Sequence, residues 1–158
     1  DFVKEIAFNK GGATVICMCN MLNKKLSNEE HKLMRQLGGI AQYLDDIFDL
    51  REDYLEGRQT LANPIQNSKE LTMSFLDEIK KFKKGLEISA YKKTNQTAFF
   101  IPVSYILGAT LLCARRYELL EEKTNGVFKI EEYSREDLVL DMNLWSNRFK
   151  AFKLSLKL

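Results

Sequence analysis

Residues Gly38 to Asn63 read GGIAQYLDDIFDLREDYLEGRQTLAN. Asp45, Asp46, Asp49, Glu52, Asp53 and Glu56 put six carboxylates into this stretch, within about three helical turns. Leu33, Leu37, Ile40, Leu44 and Ile47 recur at alternating steps of four and three, which predicts an amphipathic helix from Asn28 to about Glu56. At about 100° per residue, Gln42, Asp45, Asp49 and Asp53 fall on the side opposite Leu44, with Asp46 close beside them. Asp45, Asp49 and Asp53 are successive i,i+4 neighbours, and each like-charged pair costs a helix roughly 0.2–0.5 kcal/mol. Withdrawal from water would multiply that cost.

Two readings of this face stand side by side. A hard divalent cation such as Mg²⁺ relieves the repulsion, because it takes one or two carboxylates together with water and substrate phosphate oxygens. A solvated acidic face is the plainer alternative. Against the latter, Gly38, Gly39, Ala41, Gln42, Phe48 and Tyr54 stand where interspersed Lys and Arg would be expected. The run also closes on Gly57-Arg58-Gln59-Thr60-Leu61, a helix stop that carries a cation.

The run Gln42-Tyr-Leu-Asp45-Asp46-Ile-Phe-Asp49 resembles the second aspartate-rich motif of class I isoprenoid synthases, FQxxDDxxD, with Ala41 in place of the Phe. Asp49-x-x-x-Asp53-x-x-x-Gly57-Arg58 is similar to the DxxxDxxxGR stretch of squalene and phytoene synthases. Gly57 to Leu61 resembles the GKxTLP that closes the prenyltransferase version, with Ala62 replacing Pro. Lys10-Gly11-Gly12 stands where a KT motif would lie, with Gly11 replacing Thr. The resemblance covers Lys10 to Asn63.

It implies an all-α fold of the isoprenoid-synthase type, in which Mg²⁺ ions held between two carboxylate-bearing helices trigger ionisation of a prenyl diphosphate. Chain elongation, head-to-head condensation or cyclisation would follow. Carried across, Asp45, Asp46 and Asp49 would be the catalytic carboxylates, and Asp45, Asp49 and Asp53 the metal ligands. Gln42, Lys10 and Arg58 would contact substrate, the cations suiting diphosphate oxygens. Arg116-Tyr117 resembles an Arg-Tyr pair that terpene synthases use on the diphosphate, while a surface arginine at a helix end is the plainer account.

The family's first aspartate-rich motif has no counterpart before Lys10, and Asp1 to Asn9 reads as the end of a helix. The expectation is therefore one helical domain of five or six helices over residues 1–158, forming the C-terminal part of a larger fold. A non-catalytic binding or regulatory module is the alternative.

Working outward, 158 residues suit a single domain. A net charge of +2, with no basic-aromatic constellation, predicts no nucleic-acid partner. Cys17, Cys19 and Cys113 read as buried thiols of a reducing cytoplasm, since Cys17 and Cys19 point to nearly opposite sides of a helix. The apolar run Ala13–Leu22 is expected to be buried on most sides. Asn9 to Gly12 should interrupt or thin the helix there; close approach of a helix or ligand, or a simple loop, would explain paired glycines. Lys24–Asn28 is a polar connection, with Ser27 or Asn28 as cap. His31, in the next helix's first turn, is remote from the carboxylates. Asn63-Pro64 marks a loop.

A helix from Ser68 to Tyr91 carries Leu71, Phe75, Ile79, Phe82 and Leu86 as its buried stripe. Its Lys80, Lys81, Lys83 and Lys84 read as a solvated face, with diphosphate steering as the alternative. The helix from Gln96 to Glu122 has an apolar run of 17 residues, Ala98–Ala114, interrupted by Pro102 and Gly108. That length is at the lower limit for a membrane span, and a core helix is the reading. Ser134 to Leu158 is expected to form one basic amphipathic helix, packed on the domain or on a second subunit, or lying on a membrane surface. Homodimerisation is expected by analogy alone.

Overall fold

Helix α1 (Phe2–Met21) lies along α2 (Asn28–Phe48), and α3 (Leu50–Leu55) continues α2 past a bend at Asp49. Helices α4 (Ser68–Ile88) and α5 (Lys93–Lys123) pack on α2 and on each other. A 3-10 turn (Ile130–Glu132) and the single turn α6 (Arg135–Leu138) lead to α7 (Trp145–Ser155), which lies on α5. This computed structural model describes residues 2–22, 25–63 and 67–158; Asp1, Lys24 and the Pro64 of the expected loop lie outside the described residues. Among the described residues every regular element is helical, in keeping with the all-α expectation.

The capping chemistry accounts for the helix starts. Ser27 and Glu30 form a reciprocal capping box at α2, Asn67 accepts from the Lys69 and Glu70 amides at α4, and Ser134 pairs with Asp137 at α6. The core then follows the helical periodicity. Leu71, Phe75, Ile79, Phe82 and Leu86 of α4 are all buried, against Leu33, Ile40 and Ile47 of α2 and Leu107, Leu111 and Tyr117 of α5. Each such side chain contributes about 1.5–3 kcal/mol. At the seam of α1, α2 and α4, Glu78 is buried and accepts from Lys4 (2.7 Å), Lys81 (2.8 Å) and Gln36 (2.6 Å).

Four expectations are corrected. Asn9 to Gly12 does not interrupt α1, because the glycines serve helix-on-helix contact: a Cβ at Gly11 would stand 2.0 Å from the Gly38 carbonyl oxygen, and one at Gly12 2.9 Å from Arg35 Cα. The run Ala13–Leu22 is not buried on most sides; Cys17, Met18, Met21 and Leu22 are exposed, so of the three cysteines only Cys113 is a buried thiol. The helix expected to run to Glu56 bends at Asp49 (φ −99°, ψ 13°), where the flanking bonds Asp49 N–H to Asp45 O and Asp53 N–H to Asp49 O, both 2.9 Å, survive.

The fourth correction concerns the C-terminal segment, which is two helices rather than one. Between them Asp141 shapes the turn into α7, taking the Asn143 amide on its side chain (2.8 Å) and the Asn147 side-chain amide on its carbonyl (2.9 Å). The inner side of α7 is Asn147, Ala151, Leu154 and Ser155, seated where Gly108 lets α5 approach: a Cβ there would meet the Ala151 carbonyl oxygen at 2.5 Å. Helix α5 is long and apolar enough to cross a membrane by length and composition. Its Leu107, Leu111 and Ala114 are in the core, while Phe99, Ile101 and Ile106 are exposed.

Candidate functional site

The helix stop after α3 builds the site's rim. Gly57 has φ +67°, its amide bonds the Tyr54 carbonyl (3.1 Å), and the Arg58 amide bonds the Asp53 carbonyl (2.9 Å), which is a Schellman closure. The reversal returns residues 58–63 along the acidic face of α2. There the buried Asp46 takes the Leu61 amide on Oδ2 (2.8 Å) and the Gln42 side-chain amide on Oδ1 (2.8 Å). Thr60 Oγ1 accepts from the Asn63 amide (3.1 Å) and holds the turn.

Helix α1 closes the opposite side. Because Gly11 and Gly38 meet backbone to backbone, Lys10 is brought over the polar face of α2. The result is a cavity of about 490 Å³ that gathers Gln42, Asp45, Asp46, Asp49 and Asp53 with Lys10 and Arg58. Gln59 and Thr60 complete the polar side, and Phe2, Val3, Ile6 and Ala7 of α1 form an apolar wall. Six of the cavity's residues, Phe2, Val3, Ile6, Ala7, Gln59 and Thr60, are not among the site residues expected from the sequence; the signal for the wall is Phe2, Ile6 and Lys10 at i, i+4 and i+8 on one helix face.

The carboxylates are not equivalent. Burial, opposed by the bonds from Gln42 and Leu61, pushes the Asp46 carboxyl above its ordinary value, with Asp53 and Asp45 adding to the rise. Asp53, only 5% exposed, is tied to Arg58 Nη1 at 3.1 Å. Arg58 also pairs with Glu56. Asp45 is exposed and takes one long bond from Gln42 (3.3 Å). The Asp49 side chain has no hydrogen bond or ion pair among the described residues; partial burial and then the charges of Asp45, Asp53 and Glu52 raise its pKa, against a lowering by Arg135.

Asp46 is therefore a positioning group and Asp53 is engaged by a cation, which leaves Asp45 and Asp49 open to a ligand. Among the described residues no three Asp, Glu, His or Cys side chains form a ready metal cage. A two-carboxylate donor set with room for water and phosphate oxygens does suit Mg²⁺, which seldom uses an all-protein cage.

Arg116 and Tyr117 are not brought to this cavity. Arg116 donates to the Glu136 carbonyl (2.9 Å), and Tyr117 is fully buried with its hydroxyl donating to the Ile47 carbonyl (2.5 Å). Of Lys80, Lys81, Lys83 and Lys84 on α4, Lys81 and Lys80 pair with Glu78 and Asp77, and none lines the cavity. His31 is exposed on the first turn of α2, outside the cavity. No family model, curated protein or solved structure matches this chain.

Proposed function

We propose that the cavity between α1, α2 and α3 binds a prenyl diphosphate with Mg²⁺, and that this chain supplies one carboxylate wall of a class I isoprenoid-synthase-type site. The observation that carries the reading is the grouping of Asp45, Asp46, Asp49 and Asp53 with Lys10 and Arg58 beside an apolar wall. Four carboxylates against two cations leave the cavity net negative, so a diphosphate enters only with divalent cations. Asp45 and Asp49 would hold Mg²⁺, which when bound supplies charge neutralisation for the departing diphosphate.

The chain's own groups do the rest. Lys10 offers a point charge and Arg58 a forked guanidinium to diphosphate oxygens. Arg58 reaches them by leaving Asp53 and Glu56, which bound metal would hold in its place. Asp46 fixes the height of the Thr60-Leu61 rim, and Phe2, Val3 and Ile6 shield a prenyl chain from water.

A second reading is favoured by one feature: every carboxylate lining the cavity comes from α2, α3 or the bend at Asp49 that joins them. A site with one acidic wall binds without turnover, as a regulatory or carrier module would. Calorimetric titration with farnesyl thiodiphosphate, with and without Mg²⁺, tests both against an Asp45→Ala/Asp49→Ala variant. Binding that needs Mg²⁺ and the aspartates supports the clamp, and incubation with the diphosphate then separates turnover from storage. Equal or absent binding in every arm rejects the clamp.

A further inference from the structure

We propose that the outer face of α7 is a docking surface for an anionic lipid membrane. The inner side of α7 is already occupied by its contact with α5 through Ala151 and Ser155. On the other side Trp145, Phe149, Phe152 and Leu156 recur at i, i+4, i+7 and i+11, a single stripe. All four are exposed, Trp145 by 80%. The periodicity of the helix thus presents its aromatic residues outward and Asn147, Ala151, Leu154 and Ser155 inward, so the outward face is not one that serves the core.

Charge selects the partner. Arg148 sits over the Trp145 ring at 5.3 Å and Lys153 over the Phe149 ring at 4.6 Å, and Lys150 and Lys157 are exposed on the flank. Residues 145–158 contain no Asp or Glu, and the nearest acid on the chain, Asp141, precedes the helix. Pairing of two copies through this stripe would set one row of cations against another. An anionic lipid surface satisfies both halves. The aromatic rings sit at headgroup depth, and the lysine stems run along them while their ammonium groups reach lipid phosphates and carboxylates. All four side chains of the stripe stand exposed, between 48% and 80%, which fits a broad deformable surface.

The test uses the chain as it stands, because Trp145 is its only tryptophan. Sedimentation and tryptophan emission are followed with phosphatidylcholine vesicles and with vesicles of about one-third phosphatidylserine. With phosphatidylserine the emission should shift to the blue and resist acrylamide quenching, and on phosphatidylcholine alone binding should be roughly tenfold weaker or more. Phe149→Ser/Phe152→Ser, at exposed positions, should weaken binding at least about tenfold at unchanged thermal stability. Lys150→Gln/Lys153→Gln/Lys157→Gln should remove the phosphatidylserine preference. Unchanged emission and quenching with both vesicles overturns the proposal. So does a blue shift that grows with protein concentration without lipid, which would mean self-association. Equal binding of soluble polyglutamate, with Trp145 unshifted on vesicles, would point to an acidic protein instead.

Discussion

Gly11 and Gly38 meet backbone to backbone, so that a Cβ on the first would stand 2.0 Å from the carbonyl oxygen of the second, and a Cβ on the second 2.2 Å from the Gly11 carbonyl carbon. Backbone has no flexible end to swing away. Gly38→Ala should therefore force α1 off α2. Alanine is favoured over glycine in a helix by about 1 kcal/mol, and overpacking costs about 1–3 kcal/mol; with two backbones in contact the second dominates. Net destabilisation on urea unfolding is the expected result, with weaker thiodiphosphate binding because Lys10 moves with α1. A neutral or stabilised Gly38→Ala would mean that the two helices slide freely.

Asp45 and Asp49 are the least committed carboxylates of the cavity, and their charges oppose one another. Without Mg²⁺, Asp45→Asn/Asp49→Asn should raise thermal stability slightly, by roughly 0.2–0.5 kcal/mol for each like-charged pair relieved. With Mg²⁺ at about a hundred times its dissociation constant the wild type should gain about 2.7 kcal/mol, and the double variant should gain nothing. The crossing of the two curves is the readout. A Mg²⁺ effect equal in both proteins would place the cation elsewhere.

The contrast between these two sites explains what the sequence discloses. The common face of Asp45, Asp49 and Asp53 follows from helical periodicity alone, as does the α4 stripe, because both depend on residues three or four apart. The continuity of α1 through Gly11 depends on Gly38, and the engagement of Asp46 depends on the Leu61 amide, fifteen residues on in sequence. Local propensity reads such glycines as a break and such an aspartate as a free ligand. At α7 the period is legible and its direction is not: the stripe of Trp145 and Phe149 signals an apolar face, but only the approach of Gly108 to Ala151 shows that the small residues face inward.

Glu78 on one side, and Asp46 and Asp49 on the other, should give opposite pH dependences. For Glu78 burial raises the pKa, but the bonds from Lys4, Lys81 and Gln36 outweigh it and leave it lowered. The folded state then releases this proton more readily than the unfolded chain, so the stability from Glu78 is present above the ordinary glutamate pKa and lost as pH falls through the lowered one. Asp46 and Asp49 have raised pKa values, so their contribution is full below the ordinary aspartate pKa and lost as pH rises through the raised values. Urea midpoints of wild type and Glu78→Gln between about pH 7 and pH 4 should converge on acidification, and Asp49→Asn should flatten the gain on the acid side. Parallel curves for all three proteins would show that these groups do not control the pH response.

Tyr117 offers the cleanest separation of a structural role from a binding one. Burial first, then Cys113 and Glu52, holds its phenol well above the ordinary range, so it stays neutral, and its hydroxyl ties α5 to the Ile47 carbonyl of α2 while its ring packs on Phe128 at 5.4 Å. Tyr117→Phe leaves that carbonyl without its partner in a place water does not reach, at a cost of about 1–3 kcal/mol. Affinity for thiodiphosphate with Mg²⁺ should be unchanged, because the side chain does not line the cavity. Arg116→Ala, at a residue whose side-chain hydrogen bond goes to a carbonyl on α6 and not to the cavity, should alter stability by less than about 0.5 kcal/mol. Loss of ligand affinity in Tyr117→Phe at wild-type stability would reverse the assignment, since it would require the α5 end to swing toward the diphosphate when the ligand binds.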